Sequence, residues 1–139
     1  MSFSIGDILF FDRYLFTDTG QTKRHFALAL LPEHVTQYQE NIFCCVITSK
    51  ETRSWSLALL KTDYKCFSAD SFVCFNRKDL VPKDGLGELP QPRGELNKRD
   101  LNKSYKLLKK SLFVIKDICS DPFLRGTIIY RWKKVLGKT

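Results

Sequence analysis

Two short segments carry the side chains with chemistry to offer. Thr22 to Leu30 reads TKRHFALAL and sets Lys23, Arg24 and His25 at the head of an apolar run, while Phe43 to Ser49 reads FCCVITS and ends another apolar run on Thr48 and Ser49. A polar group at the end of a stretch fit only for burial is how a rigid sheet presents a reactive side chain. Arg24 is permanently charged and offers a planar fork of donors, suited to hold a phosphate and to stabilise the charge that grows on it during cleavage. Thr48 brings one hydroxyl and Ser49 a second. His25 titrates near neutrality and could serve as acid or base. Neighbouring strand residues face opposite ways, however, so His25 shares a site with Arg24 only if a bulge or turn lies between them. These residue types point to a nucleic-acid site, although an exposed arginine and an ordinary strand-terminal threonine would have the same spacing.

The elements that must position these groups are short and β-rich. Ile8 to Asp12, Phe26 to Leu31, Ile42 to Thr48, Trp55 to Leu60 and Ser71 to Phe75 are apolar runs of strand length, which suggests a strongly bent sheet or small barrel. Asp18-Thr19-Gly20 and Asp84-Gly85 supply turn chemistry. Gly85, Gly87, Pro90, Pro92 and Gly94 follow closely on one another, a composition expected to forbid regular structure there. A helix is expected from Asn97, a suitable N-cap, with Asp100 in the first turn where it complements the helix dipole. Leu101, Tyr105, Leu108 and Leu112 recur at helical spacing as a core stripe. Lys98, Lys103, Lys106, Lys109 and Lys110 are read as a solvated face rather than an RNA track. Beyond Lys116, Asp121-Pro122 reads as a turn, and Thr127 to Leu136 as a strand followed by a short basic helix. Tyr130, Arg131, Trp132, Lys133 and Lys134 interleave aromatic and basic groups, a mixture that can stack on bases. The favoured reading packs Trp132 on the domain and leaves the lysines in water.

Composition agrees with one basic domain. At 139 residues and 43% hydrophobic content the chain can bury one sizeable core. A net charge of +8 favours an anionic partner, because clustered Lys and Arg release counterions from a phosphate backbone. Five cysteines include the adjacent Cys44 and Cys45, which a strand would point to opposite faces. Without a C-x-x-C pair or Cys/His cluster, the reading is reduced cysteines filling apolar space, with no metal site and no cofactor. Neither a leader-like segment nor a membrane-spanning window is visible, so a soluble cytoplasmic protein is expected.

The order of motifs carries a resemblance. Gly6-Asp7-Ile8-Leu9-Phe10-Phe11-Asp12, then Leu15-Phe16-Thr17-Asp18, Gly20, Lys23-Arg24, Thr48-Ser49 and Asp70-Ser71-Phe72-Val73 together resemble the MazF/PemK family of bacterial toxin endoribonucleases over roughly residues 3 to 115. The resemblance implies an α+β, mainly β fold: a small SH3-like, PemK-type β-barrel with a C-terminal helix near 97–115 and an extra C-terminal segment. The expected division is a toxin domain at 1–116 and an extension at 117–139 packed on the same domain. The implied activity is metal-independent, sequence-selective cleavage of single-stranded RNA, in which the ribose 2′-hydroxyl attacks the adjacent phosphate and leaves 2′,3′-cyclic phosphate and 5′-hydroxyl ends. Arg24 and Thr48 match the family's catalytic pair. Arg24 would stabilise the phosphate, with leaving-group protonation a second role open to it, and Thr48 would position the phosphate. Phe16, Thr17, Lys23, Ser49 and Arg77 would contact RNA, with the Phe16–Lys23 loop as a lid. A homodimer and an acidic antitoxin are the implied partners.

Two positions depart from the family pattern. His25 stands where proline usually follows the arginine, which makes it a second catalytic candidate. Asn76 stands where some members carry a carboxylate, and an amide does not accept a proton at neutral pH. His34 falls in a polar stretch and is read as a bystander. Two other classes therefore stay open: a member of the fold that binds DNA gyrase without cutting, and an RNA-binding regulatory module.

Overall fold

Strand β1 (Asp7–Leu15) is buried or partly buried from Asp7 to Phe11 and then exposes both Asp12 and Arg13. The pair marks a β-bulge: Phe11 pairs with His25 and Tyr14 with Lys23 of β2 (Thr22–Ala29), so two residues of β1 face Arg24 alone. The extra residue brings Phe11 and Tyr14 onto one face, where their rings meet edge to face at 5.5 Å. β3 (Asn41–Thr48) pairs with β2 on one side. Its other edge is divided between β6 (Asp79–Pro82), on residues 41–44, and β5 (Ser71–Cys74), on Ile47 and Thr48. Two strands sharing one edge cannot continue in a plane, and the antiparallel sheet curls into a half-barrel. β4 (Ser56–Leu59) and β7 (Gly94–Glu95) complete the order β4-β5-β3-β2-β1-β7. This is the computed structural model of the chain, which describes residues 3–33, 35, 40–50, 55–88, 90–117 and 120–137. His34 and Cys119 lie outside them.

Both faces of the sheet are buried. Leu9, Phe11, Tyr14, Ala27, Ala29, Cys44, Val46 and Val81 fill the inner side. Leu28, Leu30, Cys45, Ile47 and Val73 pack on the other side against the helices. Cys44 and Cys45 thus fall on opposite faces, and the four described cysteines are not joined in disulfides.

Helix α1 (Lys98–Val114) starts where the sequence places it: the Asn97 side chain accepts the Asp100 N–H at 2.8 Å. Asp100 does more than complement the dipole, because it is buried and accepts the Tyr64 hydroxyl at 2.5 Å. Tyr105, Leu108 and Leu112 bury as expected. At the far end of α1, the fully buried Lys78 amine lies 2.9 Å from Asp117 and donates to Ser111 Oγ and the Phe75 carbonyl. A buried charge satisfied in this way ties the turn after β5 to the helix.

Two expectations fail. Residues 122–135 form one helix, α2 (Pro122–Val135), instead of a strand and a short helix. Asp121-Pro122 is a helix start: the Asp121 carboxylate accepts the Leu124 N–H and proline occupies the first turn. Leu124, Ile128 and Trp132, four apart, all bury in the helix-side core. The indole N–H of Trp132 donates to the Leu30 carbonyl at 2.9 Å and its ring stacks on Tyr105. The glycine- and proline-rich stretch is also more regular than expected, with a 3-10 turn at Lys83–Leu86 and strand β7 paired to Asp7 and Ile8. Its glycines allow contact rather than forbid structure. A Cβ on Gly85 would stand 2.3 Å from the Arg13 carbonyl, and one on Gly87 (φ +75°) 2.1 Å from the Asp12 carboxylate. The turn can therefore lie directly against the β1 bulge.

Candidate functional site

The bulge and the ends of β2 and β3 create an open cleft of about 460 Å³. Arg24, His25, Thr48, Ser49 and Lys50 line it, with Phe10, Phe26 and Phe67 as an apolar floor. Phe26 meets Phe10 edge-on at 4.9 Å and Phe67 at 5.1 Å. Four sequence-nominated residues, Arg24, His25, Thr48 and Ser49, are thus brought to one place.

They do not arrive from the same face. Arg24 follows the side of β2 that carries Phe26 and Leu28, and its guanidinium sits over the Phe10 ring at 5.3 Å. Its side chain is 75% exposed, and its nearest carboxylate, Asp12, is 3.9 Å away and itself half exposed. Such a pair is weak in water, so the guanidinium remains available to an anion. His25 points to the inner side, packed edge-on against Phe16 (5.6 Å) and Tyr14 (6.4 Å). The bulge that could have reunited it with Arg24 lies on β1, across from Arg24, and not between the two residues. Desolvation is the main effect lowering the His25 pKa; Lys23 lowers it further and a hydrogen bond to the Ile47 backbone opposes both. Burial thus favours the neutral imidazole. Continuing the β2–β3 register sets Thr48 across from His25. As the last residue of β3, Thr48 stands at the rim, and its hydroxyl oxygen accepts the Lys50 N–H at 3.2 Å, which leaves its O–H free to donate. Ser49 and Lys50 are exposed beside it.

The remaining nominated residues gather elsewhere. Asp79, 1% exposed, accepts the Tyr14 hydroxyl at 2.6 Å and both the backbone N–H and hydroxyl of Thr17. Arg77 bonds Asp18, lies 3.7 Å from Asp79 and covers the Phe16 ring at 4.9 Å. Phe16, Thr17 and Arg77 thereby fasten the β1–β2 loop to the start of β6. Phe16 touches the cleft only through His25. Lys23 is exposed at the head of β2, opposite Tyr14. Asn76 is exposed in the turn after β5 and lines no part of the cleft.

Sequence reasoning missed Phe10, Asp12, Arg13 and Arg93, which with Arg24, Phe26 and the Gly87 turn line a second hollow of about 580 Å³ adjoining the first. The signal for the bulge was present, since the adjacent polar pair Asp12-Arg13 interrupts an otherwise apolar strand. Arg93 carried no such signal. A roomier hollow of about 830 Å³ lies along α2, lined by Val35, Phe123, Tyr130 and Arg131. It holds none of the nominated catalytic or RNA-binding residues. Among the described residues no group of three His, Cys, Asp or Glu side chains is disposed to hold a metal ion, and no helix is long and apolar enough to cross a membrane.

No family model matches this chain, and no curated protein matches it in sequence. Its fold does have a solved counterpart. The chain is similar to the Mycobacterium tuberculosis toxin MazF-mt6, with a TM-score of 0.57 and 15% identity, covering 78% of this chain and 98% of that one. The curled antiparallel half-barrel with two helices is a MazF-like fold.

Proposed function

We propose that the chain is the toxin of a type II toxin–antitoxin pair, a metal-independent endoribonuclease that cuts single-stranded RNA at selected sequences. The observation that carries this reading is an exposed, nearly unpaired Arg24 sharing an open cleft with the hydroxyls of Thr48 and Ser49 in a fold similar to a MazF toxin. The scissile phosphate sits against Arg24, whose guanidinium takes up the negative charge that builds on the phosphoryl oxygens and on the departing 5′-oxygen. Thr48 donates its free O–H to a phosphoryl oxygen and fixes the phosphate for in-line attack. The 2′-oxygen attacks phosphorus, the bond to the 5′-oxygen breaks, and a cyclic phosphate and a 5′-hydroxyl remain. His25, which lines the cleft although it faces the other side of β2 from Arg24, is the residue proposed to take the 2′-proton, and the 5′-oxygen takes its proton from solvent. Lys23 and Ser49 flank the strand. Phe16, Thr17 and Arg77 act on RNA through the loop they anchor.

In the same reading the protein is a cytoplasmic homodimer, and the +8 charge attracts an acidic antitoxin segment that closes the groove. Residues 117–139 belong to the same unit as residues 1–116, which the burial of Trp132 supports. The test is incubation of the purified protein with long single-stranded RNA in EDTA, beside Arg24→Ala and Thr48→Ala, with cut sites and end groups mapped. Discrete cuts with cyclic phosphate ends, lost in both variants, are expected. A folded wild type that binds RNA or gyrase and cuts nothing would overturn the nuclease reading in favour of a binding member of the fold.

A further inference from the structure

The second hollow is continuous with the first. The two share Phe10, Arg24 and Phe26 as a common wall, so a strand held at Arg24 passes from one into the other. On its far side Arg93 lies over the same Phe10 ring, 5.7 Å from the centroid, so one aromatic side chain carries two guanidiniums. Two like charges on one ring repel each other, an arrangement relieved by an anion. Arg93 is exposed, and among the described residues no carboxylate lies within ion-pair distance of it. It is nevertheless set rigidly: its backbone N–H donates to the Ile8 carbonyl at 2.7 Å, and Gly94 and Glu95 pair with β1. Arg13, by contrast, is occupied by the Asp84 carbonyl at 2.7 Å. The hollow also has two carboxylates, Asp12 and Glu88. A site for phosphate alone would not include them. Carboxylates do accept hydrogen bonds from the exocyclic amino groups of cytosine, adenine or guanine, which uracil lacks.

We propose that this hollow is a second RNA subsite, where Arg93 holds the phosphate next to the scissile one and Asp12 and Glu88 receive the amino edge of the adjoining base. The inference rests on the ribonuclease reading and adds to it where the strand runs beyond Arg24 and what it reads there.

The test uses the whole chain and a single-stranded RNA made uncleavable by 2′-O-methylation, with binding followed by fluorescence anisotropy across a salt series. Arg93→Ala is expected to weaken binding several-fold and to lower the slope of log affinity against log salt by about 0.7, the value of one phosphate contact on a single strand. Lys133→Ala removes an equal charge from exposed α2 and keeps the wild-type slope. Arg93→Lys restores most of the slope, which separates charge from any disturbance of Phe10. Replacing the amino-bearing base beside the held phosphate by uracil costs the wild type about tenfold in affinity, a difference lost in the Asp12→Ala/Glu88→Ala double variant, which removes both acceptors. An unchanged slope in Arg93→Ala, or an equal fall in Lys133→Ala, overturns the subsite. Wild type that binds with the expected slope yet leaves unmodified RNA uncut overturns the nuclease reading alone, and wild type that binds no RNA overturns both.

Discussion

Arg24 and Arg77 are built from the same parts and used in opposite ways. Each guanidinium lies over a phenylalanine, Phe10 or Phe16, and each has an aspartate nearby. Arg77 is only 30% exposed and its charge is spent on Asp18 and Asp79, within a network that also takes up Tyr14 and Thr17. Arg24 is 75% exposed with one loose carboxylate at 3.9 Å. A charge matched by buried partners holds structure, and one left unmatched at a rigid strand is available to a ligand. Residue type and neighbourhood in sequence do not distinguish the two. The count of partners supplied by distant segments does.

That contrast can be broken by substitution. The largest expected effect is on Arg24: its replacement by alanine removes the phosphate donor and should slow RNA cleavage by about 10²–10³-fold, measured in single turnover, with the thermal midpoint unmoved because the side chain is solvated. Asp79→Ala should do the reverse. It strands the buried Tyr14 hydroxyl and takes a partner from Thr17 and Arg77, for a loss on the order of 3 kcal/mol in urea unfolding; cleavage at full folding should fall far less than in Arg24→Ala. Arg77→Ala gives a smaller loss of stability, on the order of 1 kcal/mol, and a salt slope of RNA binding close to wild type. A larger effect of Arg77→Ala on RNA affinity than on unfolding would erase the distinction between the two arginines.

The smallest expected effect sharpens the position of His25 between the two regions. Its folded pKa lies below the ordinary 6.5, so the unfolded chain binds the proton more readily. The stability contribution is therefore fully present above about pH 6.5 and is lost as pH falls through that value towards the lower folded one. Urea unfolding between about pH 5 and pH 7.5 should give wild type a steeper rise in stability with pH than His25→Gln. Parallel curves would mean that the imidazole is not desolvated as its packing against Tyr14 and Phe16 requires.

What could be read from the sequence was local. Apolar runs of strand length, the Asn97 cap and the Leu101 to Leu112 stripe depend on interactions within a few residues, and each led to a strand or helix near the expected place. The motif order led to the fold, which the likeness to MazF-mt6 bears out. Where local signals were ambiguous the reading failed: Asp121-Pro122 suits a turn and a helix start equally, and only the burial of Leu124, Ile128 and Trp132 decides between them. The same holds for the glycines after Pro82, whose purpose is visible only once the Arg13 carbonyl and the Asp12 carboxylate are seen against them.

The sequence by itself determined the inventory: a basic chain with one sizeable core, an apolar strand headed by Arg24, another ending on Thr48, and an amphipathic helix. Tertiary structure alone decided which of its charges are spent and which are free. Residues as distant in sequence as Tyr14 and Asp79, 65 apart, meet through the curl of the sheet. The β1 bulge sets Asp12 and Arg13 opposite Arg24, and β7 carries Arg93 to the same ring. These juxtapositions depend on register and closure, which are settled by the whole core at once, so no window of sequence contains them.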